Sequence, residues 1–150
     1  MRHLASLAAI ALLAIPSGCN TTQKSHAACE SDVDRLKDAI RDTSAYLEDL
    51  RPRLKASFLA LDACDRVTTD CDAAAWLAQA EAMRAEHLDR HAEFNRAVDL
   101  WWPDACVPYI QSYRINPPDP KMYKGYFYSL DETGKQIDEL IERYSKRVAT

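Results

Sequence analysis

The sequence predicts an all-α protein, an antiparallel three-helix up-down-up bundle closed by two disulfides. The chain has 150 residues, the size of one domain, with 47% hydrophobic residues, 28% charged residues and only three glycines. Apolar residues recur at alternating steps of three and four along three long segments. Four cysteines stand at matched spacings, because Cys29 to Cys64 and Cys71 to Cys106 are both 35 positions apart.

The first predicted helix begins at Ser31, an N-cap residue that Asp34 follows three positions later. Its apolar stripe consists of Val33, Leu36, Ile40, Thr43, Leu47, Leu50, Leu54, Phe58 and Leu61. Pro52 lies inside this helix but off the stripe. Because proline removes one backbone hydrogen bond, we expect a bend near 48–52 rather than two separate helices.

The second predicted helix follows a polar turn at 65–70, with Asp72 as its N-cap. Its stripe consists of Ala73, Trp76, Ala80, Met83, His87, His91, Phe94, Val98 and Trp101. Pro103 is expected to end it. The segment 103–118 holds four of the seven prolines and is predicted to be an irregular connection or one short helical turn.

The third predicted helix starts at Asp119-Pro120, an N-cap followed by a proline at the first helical position. Its stripe consists of Tyr123, Tyr126, Phe127, Leu130, Ile137, Leu140, Ile141, Tyr144 and Val148. Gly134 interrupts this helix and weakens it by about 1 kcal/mol relative to alanine. Three helices of similar length therefore form the predicted bundle.

The cysteine spacing selects one disulfide pattern. A bond from Cys29 to Cys64, or from Cys71 to Cys106, would join the two ends of one helix about 50 Å long, which no disulfide can do. Crossed pairs would need parallel helices joined by a connection too short for that span. The pairs Cys29–Cys106 and Cys64–Cys71 remain. The alternative, a redox or metal-thiolate site, lacks any C-x-x-C pair.

The N-terminus is typical of a secretory signal, since Arg2 and His3 precede an apolar segment at 4–15. Ser17-Gly18-Cys19 resembles the lipobox of bacterial lipoproteins, although Pro16 departs from the aliphatic residue usual there. The resemblance implies cleavage after a signal at 1–18 and acylation of Cys19, including palmitate. Residues 19–28 would then form a flexible tether, and 29–150 the helical bundle domain.

The number of cysteines agrees with lipidation. Once Cys19 is acylated, four of the five cysteines remain, which can form two disulfides in an oxidising compartment. The alternative is an ordinary cleaved signal followed by an odd cysteine. Asn20 is not the aspartate that the lipoprotein resemblance associates with inner-membrane retention. We therefore expect a lipid anchor in the outer membrane, with the protein on its periplasmic face.

The charge of the chain excludes two classes of partner. Without Arg2, 18 basic residues stand against 23 acidic ones, a net charge of −5. No basic run is present to follow a phosphate backbone or to bind a membrane surface electrostatically. We therefore expect no nucleic acid partner, and membrane attachment through the lipid alone.

His87 and His91 are four positions apart on one helix face, and Met83 lies one turn earlier. This spacing lets two imidazoles share a metal or a haem-like ligand set. No third nitrogen or thiolate ligand is evident, and no C-x-x-C-H motif is present. The alternative is structural, with each histidine hydrogen-bonded in the core to Tyr123 or Tyr126. We expect no metal and no cofactor.

The region 101–128 holds eight of the 13 aromatic residues. Most are expected to cover the bundle end, but some are candidates for an exposed patch that binds a protein or a glycan. The candidate patch consists of Trp101, Trp102, Tyr109, Tyr113 and Tyr128. No nucleophile–base constellation or G-x-S-x-G elbow is present, so we do not expect an enzyme.

The sequence thus predicts an outer-membrane lipoprotein that binds an envelope protein as an accessory or assembly factor. In size, anchor and helix content it resembles the small pilot lipoproteins of secretion machines. One alternative is an inhibitor, immunity or exclusion lipoprotein acting against a toxin, a lysozyme-like enzyme or a phage. A second alternative is a periplasmic metal- or haem-binding protein that uses His87 and His91.

Overall fold

The computed structural model describes residues 24–66, 71–101, 103–113 and 115–149. These residues form four helices and no strand. The helices are α1 (His26–Arg66), α2 (Ala73–Leu100), α3 (Pro103–Tyr113) and α4 (Pro120–Val148). The all-α prediction is confirmed, and the predicted count of three helices is wrong. The signal at 1–18 and Cys19 lie outside the described residues.

The additional helix, α3, occupies most of the segment that we predicted to be irregular. Pro103 begins it, because the fixed φ of proline suits the first helical position and its missing N–H is not needed there. A second proline, Pro108, lies inside the helix. Among the helices, α3 approaches α1 alone, to which the disulfide of Cys106 holds it.

The longest helix, α1, begins at His26 rather than at Ser31. Ser25 caps it, because its Oγ accepts from the Ala28 N–H at 3.2 Å and its carbonyl accepts from Cys29 at 3.0 Å. Residues 26–28, which we assigned to the tether, are therefore helical. The helix then continues through Pro52 without a break, and its 41 residues give a length of about 62 Å.

The predicted starts of the other two long helices are confirmed. The Asp72 side chain accepts from the Ala75 N–H at 3.0 Å at the start of α2. The Asp119 side chain accepts from the Lys121 N–H at 2.8 Å, with Pro120 as the first residue of α4. Each carboxylate satisfies a backbone donor that has no partner within its own helix.

The three long helices pack on one another, most extensively α2 on α4. Trp76 near the start of α2 stacks on Tyr144 near the end of α4. Phe94 near the end of α2 packs edge-on against Phe127 near the start of α4. Residue numbers therefore rise along α2 as they fall along α4, and these two helices run antiparallel.

Two cysteine pairs at disulfide distance connect the elements at opposite ends of α1. Cys29 and Cys106 have their Cα atoms 5.7 Å apart, and Cys64 and Cys71 have theirs 5.2 Å apart. These are the two pairs that the spacing predicts. By the chain-entropy account, the longer loop contributes about 4.5 kcal/mol and the shorter about 2.5 kcal/mol.

The core follows the predicted stripes with few exceptions. Its fully buried aliphatic residues are Val33, Leu36, Leu50, Leu61, Leu130, Ile137 and Leu140. The stripes omit Tyr46 and Ser57 of α1 and Ala97 of α2, which are also buried. Val148 was assigned to the core and is 50% exposed. It lies one turn beyond Tyr144, where α2 is only beginning. No helix within the described ranges has the length and apolar character needed to cross a membrane.

A candidate binding groove between α1 and α4

The two longest helices, α1 and α4, leave an open groove of about 450 Å³ between them. They run in the same direction, since Tyr144 bonds Ser57 and Arg147 pairs with Asp65 further along both helices. We call this the α1/α4 groove. It is lined by Leu47, Leu50, Arg51, Leu54, Lys55, Phe58, Tyr128, Ser129, Glu132, Thr133 and Gln136.

The floor of the α1/α4 groove is apolar and comes from α1. Leu50 and Leu54 are buried, whereas Leu47 and Phe58 are half-buried. Their spacings of three and four place all four side chains on one helix face. The apolar face of α1 is thus not fully covered by α2 and α4. Its partly exposed residues, Leu47 and Phe58, line the groove.

The α1 rim of the groove carries two exposed cations one turn apart, Arg51 and Lys55. Neither takes part in any ion pair between described residues. Their neighbour Arg53 differs, because it points toward α2 and pairs with Glu86 at 2.9 Å and Asp49 at 3.3 Å. The groove therefore has a basic rim on a chain that is acidic overall.

The α4 rim is polar and carries no uncompensated charge. Glu132 pairs with Lys135 at 2.6 Å, and the Ser129 hydroxyl donates to the Gly125 carbonyl at 3.0 Å. Tyr128 is 69% exposed, the largest fraction among the large apolar and aromatic side chains described. The Tyr128 ring is thus exposed to solvent beside the apolar floor of the α1/α4 groove.

A second groove, on the other side of α1, differs in its charges. It lies between α1 and α2 and has a volume of about 360 Å³. Acidic and basic residues alternate around it, namely Arg35, Asp38, Asp42, Arg90, Glu93 and Arg96. Several are already paired, as Arg90 is with Glu93 at 3.1 Å and Arg35 with Asp32 at 3.4 Å. This α1/α2 groove has little net charge to offer a partner.

The described members of the predicted aromatic patch, Trp101, Tyr109 and Tyr128, do not lie on one surface. Trp101 is buried, and its backbone N–H caps α2 by donating to the Val98 carbonyl at 3.1 Å. Tyr109 is half-buried, with its ring centroid 5.6 Å from that of His26. Trp102 and the side chain of Tyr113 lie outside the described residues.

Tyr128 is far from Tyr109, another member of that patch. It faces α1 from Leu47 onward, whereas Tyr109 lies beside His26 near the start of the same helix. The intervening residues of α1 span about 30 Å. Among the described members of the patch, the exposed aromatic side chain is Tyr128 in the α1/α4 groove, and Tyr109 lies in a separate region.

His87 is a buried residue between all three long helices. Its Nδ1 lies 3.1 Å from the Tyr46 hydroxyl of α1, and a second hydrogen bond joins the ring to the backbone of Leu130 in α4. The predicted partners Tyr123 and Tyr126 are therefore wrong for His87. Tyr46 shares the α1 face with Thr43 and Leu50 but was not assigned to the stripe.

The protonation of this pair follows from burial. Burial lowers the pKa of His87, and the neighbouring charge of His91 lowers it further. Burial and the Glu86 carboxylate raise the pKa of Tyr46 to about 12. Both groups are neutral at pH 7. With the ring proton on Nε2, Nδ1 accepts from the Tyr46 hydroxyl and the ring can also donate to the Leu130 backbone.

His91 lies beside His87, with ring centroids 6.2 Å apart, and Met83 is buried one turn earlier. The Nδ1 of His91 is 3.3 Å from the Asn95 amide. Its Nε2 is 3.4 Å from the Asp131 carboxylate, within ion-pair distance but without hydrogen-bond geometry. Residues 24–149, where described, contain no group of three or more histidine, cysteine or acidic residues placed to hold a metal.

Comparison with known proteins assigns no family. No protein-family model, curated protein or solved structure matches the chain. The function proposed below therefore depends on the chain's own residues and their arrangement.

Proposed function

We propose that the protein is a lipoprotein of the outer membrane, attached through Cys19, that binds an envelope protein on the periplasmic side. It serves that partner as an accessory or assembly factor and carries out no catalysis. The three long helices α1, α2 and α4 act as a rigid up-down-up frame. The lipobox-like Ser17-Gly18-Cys19 and the even number of remaining cysteines support the anchor and the compartment.

The α1/α4 groove is the proposed binding site for the partner protein. Its floor is apolar, and an aromatic side chain that is 69% exposed stands at its edge. Apolar surface with exposed tyrosine and arginine, rimmed by polar groups, is the composition typical of protein interfaces. The α1/α2 groove lacks such an aromatic residue.

The contacts of Lys24 support a particular orientation at the membrane. Its Nζ donates to the Asp32 carboxylate at 2.6 Å and to the Leu100 carbonyl at 2.7 Å. The chain therefore enters the bundle at the Cys29–Cys106 end. From Cys19 to Lys24 an extended chain spans at most about 18 Å. That end would lie nearest the membrane, with the α1/α4 groove about 30 Å farther out.

Replacement of Cys19 tests the proposed attachment to the outer membrane. Intact protein mass spectrometry of the wild-type chain should show diacylglycerol and a further acyl chain on Cys19, and fractionation should place it in the outer membrane. The Cys19→Ala variant should lose both the lipid and the membrane fraction. A wild-type chain with a free thiol at Cys19 would support the ordinary cleaved signal and contradict the anchor.

Photocrosslinking in intact cells tests protein binding. A photoreactive phenylalanine is placed singly at Leu59, Leu88, Val107 and Tyr128, four exposed positions spread over the bundle. At least one should give a discrete adduct with a resident envelope protein. An adduct with a foreign enzyme or a phage component would favour the inhibitor alternative. No adduct at any of the four positions would overturn a protein-binding role.

A further inference from the structure

We propose that the α1/α4 groove binds an amphipathic helix of the partner, and that the polar face of this helix is acidic. This inference rests on the proposed function, because it states the chemistry of the partner for the same site. It is carried by the length of the groove, its apolar floor and the charges of its two rims.

The dimensions of the groove suit a helix. Its floor runs along α1 from Leu47 to Phe58, about 17 Å, and along α4 from Tyr128 to Gln136, about 12 Å. These lengths correspond to two to three helical turns. A helix lying between two parallel helices presents side chains at i, i+3 or i+4, and i+7, which match the spacing of the floor residues.

The basic rim determines the charge of the partner. Arg51 and Lys55 are one turn apart on the edge of the groove, and no carboxylate in the described part of the chain pairs with either. Most other described cations of α1 do have such a carboxylate, as Lys37 has Asp34 and Arg41 has Asp38. A docked helix with Asp or Glu along one edge would supply the missing partners.

The opposite rim fixes the orientation of that helix. On α4 the Glu132 carboxylate is already held by Lys135, so this rim offers mainly neutral polar groups, Thr133 and Gln136 among them. An acidic edge would therefore face α1 and the neutral polar edge would face α4. Tyr128 lies at the upstream end of the α4 rim, where its ring can cover an apolar side chain of the partner.

Two synthetic peptides provide the probe. Both are helices of about 18 residues, or five turns, with the same Leu and Phe face, and they differ only in a polar face of Glu or of Lys. Each is labelled with fluorescein and titrated by fluorescence anisotropy with the full mature lipoprotein in nanodiscs of zwitterionic lipid. The wild-type protein should bind the Glu peptide about tenfold more tightly than the Lys peptide.

Charge reversal in the groove is compared with an equal reversal elsewhere. Arg51→Glu/Lys55→Glu should invert the preference between the two peptides. The control Lys121→Glu/Lys124→Glu changes the net charge equally at two exposed lysines outside the groove, and should leave each Kd within about twofold. Circular dichroism verifies that both variants remain folded, as expected for exposed side chains.

Several outcomes would overturn the inference. Equal binding of the two peptides, or an inversion no larger in the groove variant than in the control, would exclude an acidic helix as the ligand. Self-association abolished by the groove reversal would identify a second copy as the occupant instead. Photocrosslinks at Leu88 or Val107 but not at Tyr128 would preserve the protein-binding function while removing the groove as its site.

Discussion

Two buried tyrosines join the helices of this bundle in chemically different ways. The Tyr46 hydroxyl of α1 reaches the imidazole of His87, whereas the Tyr144 hydroxyl of α4 donates to the backbone carbonyl of Ser57 at 2.7 Å. We call these the His87 level and the Tyr144 level. The same hydroxyl group thus meets a titratable imidazole at one level and a non-titrating backbone carbonyl at the other. Two buried tyrosine hydroxyls can therefore differ in how strongly their hydrogen bonds depend on pH.

The side-chain packing around the two levels also differs. Tyr144 stacks on Trp76 with ring centroids 6.5 Å apart, and its end of the bundle also holds the Cys64–Cys71 disulfide. His87 instead packs against Gly134, where a Cβ would lie 3.2 Å from its Nε2. Both levels include a hydrogen bond at a tyrosine hydroxyl, but the Tyr144 level adds a large aromatic contact and the His87 level a close fit against Gly134.

The largest effect is expected from removing the Tyr144 ring. Tyr144→Ala should lower the free energy of unfolding by about 3–5 kcal/mol, because a fully buried aromatic side chain leaves a cavity beside Trp76. Urea unfolding at pH 7 with the disulfides intact measures this. Tyr144→Phe should lose only about 1–2 kcal/mol, and by the same amount at pH 5.5 as at pH 7. A pH-dependent loss would remove the distinction between the levels.

Tyr46→Phe should lower the free energy of unfolding by about 1–3 kcal/mol at pH 7. The ring remains, but Nδ1 of His87 is left buried without its donor. The same urea titration applies, with Tyr144→Phe as the matched hydroxyl deletion. A loss below about 0.5 kcal/mol would show that the Tyr46–His87 bond contributes little to stability.

The His87 level should give the protein a pH dependence that the Tyr144 level lacks. The folded-state pKa of His87 is lowered, so below the unfolded value of about 6.5 the unfolded chain takes up the proton first. Stability should therefore fall as pH drops from 6.5 toward the folded pKa. His91, Asp131 and Asp138 also act on the ring.

The His87→Gln variant isolates this dependence. Its amide can accept from Tyr46 and donate to Leu130 without titrating, while all other ionisable groups stay in place. Unfolding free energies from pH 7.5 to 5.0 should decline more steeply for the wild type than for the variant. Parallel curves would assign the whole decline to other groups.

The smallest effects concern the two glycines of α4. Gly125→Ala should raise the free energy of unfolding by up to about 1 kcal/mol, because no atom lies within 4 Å of the added Cβ. Gly134→Ala should give no such gain, since the added Cβ would lie 3.2 Å from Nε2 of His87, whose ring is hydrogen-bonded to Tyr46. In a His87→Ala background, Gly134→Ala should recover the gain. Equal gains at both glycines in the wild type would contradict the close fit.

The long helices and their core faces could be predicted because period and caps are local properties of the chain. Asp72 and Asp119-Pro120 mark helix starts, and the matched cysteine spacing leaves only one feasible pairing. α3 was missed because its prolines were treated as helix breakers, although Pro103 occupies the first position, which favours proline. Tyr46 lies three positions after Thr43 and four before Leu50, so the same helical spacing would have placed it on the α1 stripe.

The groove was only partly predictable. Tyr128 is absent from the predicted stripe of α4 and was assigned to the candidate patch, and it is 69% exposed. Leu47 and Phe58 were assigned to the core, since a stripe does not reveal how many neighbours will cover it. The lack of an ion pair at Arg51 among the described residues depends on which residues α4 places across the groove, and that register is set by tertiary packing.

Lys24 and the Cys29–Cys106 bond connect the first described residues of the chain to the end of α2 and to α3. A force applied to the N-terminal segment would consequently be shared by two elements. One part acts along α1, and the other is transmitted to α3 through the Cys29–Cys106 disulfide. A helix tugged alone from its first residue unravels turn by turn, whereas a load shared by two elements must shear them together. If the proposed anchor at Cys19 holds this end and a partner binds the α1/α4 groove, the Cys29–Cys106 pair would share the load between α1 and α3.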